Sequence, residues 1–103
     1  MNHLAADMTM KEQVLEVFKK TLDPELGIDI WTLGLIYGYE VNDDLETLKV
    51  KMTFTTPLCP FGPQLIGDLK RALLGLGFRD VDIEVVFDPP WTPPEELREM
   101  LGV

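Results

Sequence analysis

Residues 47 to 55 read Thr-Leu-Lys-Val-Lys-Met-Thr-Phe-Thr, nine positions in which polar and apolar side chains alternate without a break. An extended chain with that period puts Leu48, Val50, Met52 and Phe54 on one face and Thr47, Lys49, Lys51, Thr53 and Thr55 on the other. One face must leave water, and a single strand has nothing to cover it with, so the rest of the chain has to supply a second layer. Upstream, Leu35 to Val41 repeats the period with Leu35, Tyr37, Tyr39 and Val41 in step, and Asn42-Asp43-Asp44 between the two runs is turn chemistry. The pair reads as a half-buried hairpin.

The cover comes from two helical patterns. Thr9 with Glu12 is a capping box, followed by Val14, Leu15, Phe18 and Leu22 at helical spacing, with Glu16, Lys19 and Lys20 on the other face. Asp23-Pro24 ends that helix, because the residue before proline avoids the helical region. A connecting loop from Glu25 to Gly34 follows. Gly62-Pro63 opens a second helix with the apolar stripe Leu65, Ile66, Leu69, Ala72, Leu73 and Leu76, ended by Gly75 and Gly77. Val81, Ile83, Val85 and Phe87 are a third alternating strand, broken at Asp88-Pro89-Pro90-Trp91. Thr92 with Glu95 is a second capping box, and Pro93 lies in the first turn of a short helix reaching about Leu101. The order α-β-β-α-β-α gives an α+β, two-layer sandwich, a three-stranded mixed sheet with its helices on one face. Residues 1–8 form a flexible leader and residues 9–103 one domain. The position of the third strand, beside the first or the second, is open at this level.

Composition narrows the function. Nine Lys and Arg against 18 Asp and Glu give a formal charge of −9, divided evenly between the halves of the chain. A surface of that sign repels phosphate backbones, which argues against a nucleic-acid partner. The longest uncharged stretch, Met52 to Gly67, contains Pro57, Pro60 and Pro63 and is no membrane helix. No basic region followed by an apolar run marks a secretory signal, and one cysteine forms no internal disulfide, so a reducing cytoplasm is the simplest compartment. The single histidine, His3, leaves no Cys/His set for zinc within one chain.

Three segments at junctions between elements do not read as scaffolding: Asp23-Pro24-Glu25 with the run Leu33 to Tyr37, Thr55 to Pro60, and Asp88 to Trp91. Cys59 lies three residues before the expected helix start, where free N–H groups and the helix dipole favour a thiolate, and the Thr55 and Thr56 hydroxyls are placed to bond the sulfur. The alternative is a buried, inert thiol. Asp23 reads first as a turn residue and second as a functional carboxylate, and Asp88 likewise. Trp91 reads as a packing residue over the sheet end with its indole N–H near the loop. Tyr37 and Tyr39 share a face with core residues and read as packing. Asp23, Glu25 and Asp29 offer a weak hard-cation set.

Taken together, Asp23-Pro24-Glu25, Leu33-Gly34-Leu35-Ile36-Tyr37, the Thr-Thr-Pro-x-Cys-Pro core within Thr53 to Pro60, and Asp88-Pro89-Pro90-Trp91 resemble the SufT/PaaD-like domain family of iron–sulfur cluster assembly proteins over residues 9 to 103. The resemblance implies an iron–sulfur cluster assembly domain-like fold and a role in maturation of iron–sulfur proteins. It puts the family's cysteine on Cys59 and its acidic residues before proline on Asp23 and Asp88. The chain stops at Gly102-Val103 without the cysteine-rich C-terminal portion of PaaD-like proteins, which favours the SufT-like branch. The implied partners are assembly scaffold or carrier proteins and client apoproteins. The implied cargo is a transient iron–sulfur cluster or iron contacting Cys59, with no cofactor permanently bound. A cluster takes about four protein ligands, so one thiol per chain holds none alone, and a homodimer or a partner must complete the set. Two further readings stand beside this one: a thiol-dependent enzyme with Cys59 as nucleophile and Asp23 or Asp88 polarising it, and a binding module that does not need the thiol. The first lacks the usual histidine activation, and an acidic chain without a nucleotide-binding glycine loop suits an adaptor better than a turnover enzyme.

Alkylation of the folded protein across pH tests the thiolate reading. The expected rate inflects below the reference of about 8.5 for a free thiol, and labelling only after denaturation leaves the inert one.

Overall fold

The computed structural model of the chain describes residues 9–42, 46–55, 62–95 and 97–98. The first helix, α1 (Met10–Lys20), starts where the capping box requires: Thr9 Oγ1 accepts the Glu12 N–H at 3.1 Å, and Glu12 Oε1 accepts the Thr9 N–H at 3.2 Å. It ends earlier than the Asp23-Pro24 stop. Thr21 is already extended, and its hydroxyl donates to the Val17 carbonyl at 2.7 Å, so Leu22 leaves the apolar stripe and stands exposed. Val14 and Phe18 are the residues α1 buries.

The hairpin follows as β1 (Ile36–Val41) and β2 (Thr47–Met52), antiparallel, with the Asn42 N–H donating to the Thr47 carbonyl at 3.0 Å. Asp43 and Asp44 of the expected turn lie outside the described residues. Then come α2 (Gly62–Leu74) and β3 (Asp80–Val85). The sheet order is β1-β2-β3, with β3 parallel to β2, which settles the third strand beside the second. Leu48, Val50 and Met52 of β2 are buried with Leu65, Leu69 and Leu73 of α2, Val81 of β3 and the α1 pair, so both helices cover one face. The opposite face carries charge in register: Glu40 pairs with Lys49 and Lys49 with Asp82, and Lys51 pairs with Glu84. Opposite charges directly across a sheet attract, which suits a face left to water.

Four side chains depart from the alternation. The β1–β2 register slips between Ile36 and Gly38, so Ile36 meets Met52, Tyr39 meets Val50, and Tyr37 drops out of the core row. A glycine in a strand marks such a bulge, and Gly38 sits in it. Thr53, expected on the water face, is buried, because β2 has ended at Met52 and the Thr53 N–H is met by the Leu35 carbonyl at 2.9 Å. Phe87 is exposed beyond the end of β3 rather than in the core, and Ala72 is exposed on α2. The C-terminal helical turn opens at Pro94, whose carbonyl accepts the Leu97 and Arg98 N–H groups, two residues after the expected Thr92 start. No helix among the described residues is long and apolar enough to cross a membrane.

A one-faced sheet predicts unequal costs. Leu69→Ala should lower the unfolding free energy by about 2–5 kcal/mol, whereas Lys49→Ala on the open face, which gives up only the exposed cross-strand partners Glu40 and Asp82, should cost about 1 kcal/mol or less. Urea denaturation measures both, and equal losses would contradict the packing described.

Candidate functional site

Strand directions decide which loops meet. β2 and β3 run parallel, and β1 antiparallel, so the end of β2, the end of β3 and the start of β1 fall at one end of the sheet. The bonds that continue past the strands show it: Met52 pairs with both Ile36 and Val85, the Val86 N–H donates to the Met52 carbonyl at 2.8 Å, and Thr53 bonds Leu35.

Two side chains close this end over a long sequence distance. The Trp91 Nε1–H donates to the Leu33 carbonyl at 2.6 Å, and the Tyr37 hydroxyl donates to the Pro89 carbonyl at 2.7 Å. Residues 88–91, with a cis Asp88–Pro89 peptide, are thereby strapped across to the loop before β1. Trp91 also packs its ring against the core, which joins the packing and hydrogen-bonding roles of an indole in one residue. Gly34 carries the tight turn at φ +76, a backbone region that side chains with a Cβ avoid.

The described residues on either side of positions 56–61 lie at the same end. Thr55 and Thr56 were singled out with Cys59; Thr55 is half-buried, whereas Thr56 and Cys59 lie outside the described residues. On the far side Gly62 starts α2 against the Phe54 ring, where a Cβ would come within 2.8 Å of Cε2. The Phe54 ring lies 6.2 Å from that of Phe87. The flanks of residues 56–61 are therefore fixed beside the ends of β2 and β3.

Asp23 and Asp88 differ sharply. Asp23 is buried, and its Oδ1 accepts the N–H groups of Glu25 at 2.8 Å and Leu26 at 3.1 Å. Its carboxylate closes its own turn, with Gly27 at φ +68 completing the reversal. Asp88 is exposed at the strap. Asp29 Oδ2 accepts the Thr32 N–H at 2.8 Å, and among the described residues no group of three or more His, Cys, Asp or Glu side chains is arranged to hold a metal. The weak cation set of Asp23, Glu25 and Asp29 is thus not assembled.

Tyr37 and the Leu33 carbonyl carry the closure; both belong to the Leu33 to Tyr37 run that the sequence singles out, but Tyr37 reads there as a packing residue. Tyr37 is masked there by its apparent place in an apolar row; Gly38 beside it is the signal that the row breaks.

The iron–sulfur cluster assembly protein family matches residues 11–85 of the chain. The Fe-S protein maturation auxiliary factor YitW of Bacillus subtilis (strain 168) is 37% identical over 90 residues, covering 86% of this chain and 87% of that one. The Fe-S protein maturation auxiliary factor SufT of Staphylococcus aureus (strain USA300) is 44% identical over 72 residues, 69% of this chain and 81% of that one. Among solved structures, a conserved hypothetical protein from Thermotoga maritima superposes with a TM-score of 0.80 at 42% identity, covering 93% of this chain and 100% of that one.

The two closing bonds should differ in worth. Trp91→Phe leaves the Leu33 carbonyl of a buried residue without its donor and should cost about 1–3 kcal/mol, whereas Tyr37→Phe removes a bond at the surface and should cost about 1 kcal/mol or less. Because both hold the same strap, the double variant should be non-additive in chemical denaturation.

Proposed function

We propose that the chain, which belongs to the iron–sulfur cluster assembly protein family, is a maturation factor for iron–sulfur proteins that works as an adaptor and passes a cluster or iron on through Cys59. The observation that carries this reading is the meeting of the Leu33 to Tyr37 run with the Asp88 to Trp91 segment at one end of the sheet, where Thr55 and Gly62, the described residues on either side of the stretch that holds the sole thiol, also lie. Named maturation factors among its relatives support the pathway.

The chemistry limits the mode of action. One thiolate supplies one of the four or so ligands a cluster takes, so the cluster is cargo whose other ligands come from a partner or a second copy of the chain. Assembly scaffold or carrier proteins are the donors in this reading, and client apoproteins the acceptors. A reducing cytoplasm suits a lone thiol that has to remain free. Thr55 and Asp88 stand at the same end to contact whatever approaches, while Asp23 and Trp91 hold the loops in place.

Deleting the gene and assaying iron–sulfur enzymes under iron limitation and oxidative stress tests the reading. Activities should fall and return with the wild-type chain but not with Cys59→Ser. Normal activities in the deletion strain would overturn the pathway assignment. Full rescue by Cys59→Ser would overturn the thiol and leave a binding module.

A further inference from the structure

Leu22, Leu26, Trp31 and Phe87 are the large apolar side chains that stand exposed among the described residues, and three of the four fall between positions 22 and 31. A single exposed leucine is ordinary, but several on one short segment mark a surface for contact. The segment is a preformed hairpin. The Ile30 N–H donates to the Thr21 carbonyl and the Asp23 N–H to the Ile28 carbonyl, each at 2.9 Å, and Leu22 bridges Asp29 between them. Alternation turns Ile30 and Asp23 inward, where both are buried, and turns the Leu22–Asp29 pair outward. Leu22 is accordingly 56% exposed. Leu26 rides on the turn that Asp23 closes, and Trp31 sets one face parallel to the Phe18 ring at 6.2 Å while part of the indole stays open. A hairpin ordered in advance loses little freedom on binding.

Charge selects the partner. The hairpin of residues 21–31 holds Asp23, Glu25 and Asp29 and no Lys or Arg, within a chain of formal charge −9. Exposed Lys19 and Lys20 bound that stretch at the end of α1. A second copy would bring the same acidic hairpin to this surface and be repelled from it, and anionic lipid likewise. A protein surface with apolar side chains set among Lys and Arg is attracted. We propose that the hairpin of residues 21–31 is a docking surface for a basic partner protein, which inserts apolar side chains against Leu22, Leu26 and Trp31. The proposal rests on the reading that the chain works through protein contact, but it does not involve the thiol.

A photo-crosslinking residue in place of Leu22 in the full chain, expressed in cells, tests it, with the same residue at exposed Lys70 on α2 as control. Position 22 should crosslink to a different protein, at a peptide in which Lys or Arg flanks apolar residues. The yield should fall about tenfold with Leu26→Lys, which removes an apolar contact and repels a basic surface, the scale on which losing a central contact weakens an interface, and the wild-type yield should fall at high ionic strength. Trp31→Ala should act in the same direction; because Trp31 also packs on Phe18, Leu26→Lys is the deciding variant. Crosslinking between copies of the chain, to an acidic peptide, equally from position 70, or not at all would overturn the proposal. Cys59→Ser separates the two readings. Crosslinking retained with maturation lost supports both. Crosslinking retained with maturation intact overturns only the role of the thiol, and absent crosslinking with maturation lost overturns only the docking surface.

Discussion

The apolar face of β2 has to leave water, and nearly every other feature answers to that. Leu48, Val50 and Met52 form a row that only a second layer can cover, and α1 and α2 supply it with Val14, Phe18, Leu65, Leu69 and Leu73. Because β2 is the middle strand, its backbone is paired on both sides, antiparallel to β1 and parallel to β3. A parallel neighbour cannot be reached by a tight turn, so the chain must cross over through a helix, and the helix that crosses is the one that covers. Covering the face and ordering the strands are thus one solution to one constraint.

That solution also divides the molecule into ends of different character. At one end lie the Asn42–Thr47 connection and the Arg79–Glu46 contact at 3.1 Å, both on the surface. At the other, the indole of Trp91 and the hydroxyl of Tyr37 tie the chain after β3 to the chain before β1 and to β1 itself. The Asp23 carboxylate is taken up by its own turn and the Trp91 ring packs on the core, whereas Thr55 is half-buried and Asp88 exposed.

Much of this was legible in the chain. The order of elements, the hairpin, the Thr9 cap and the glycine at the start of α2 follow from short-range patterns, and strand direction alone predicts that Trp91 and Leu33 share an end. What was hidden depends on contacts made across the fold. Thr53 looks like a water-facing position until β2 stops one residue earlier and Leu35 covers it. Tyr37 belongs to an apolar row until the bulge at Gly38 removes it. Leu22 completes a helical stripe until the Thr21 hydroxyl takes the Val17 carbonyl and ends the helix. Each reversal follows from a single backbone event that periodicity does not register. Cys59, the residue on which the sequence places most weight, lies outside the described residues, so its reading rests on its neighbours.

The two bonds made by the Trp91 indole and the Tyr37 hydroxyl join residues 58 and 52 positions apart. Contacts of such span form only after the intervening loops have closed, so they come late in folding, behind the local hairpin and helices. They also involve residues synthesised after all three strands. A nascent chain complete through Val85 already contains all three strands and both helices, yet its site end has no latch until residues 89 and 91 arrive. Emergence of residues 89 to 91 and closure of this end of the sheet are therefore the same step in the life of the protein.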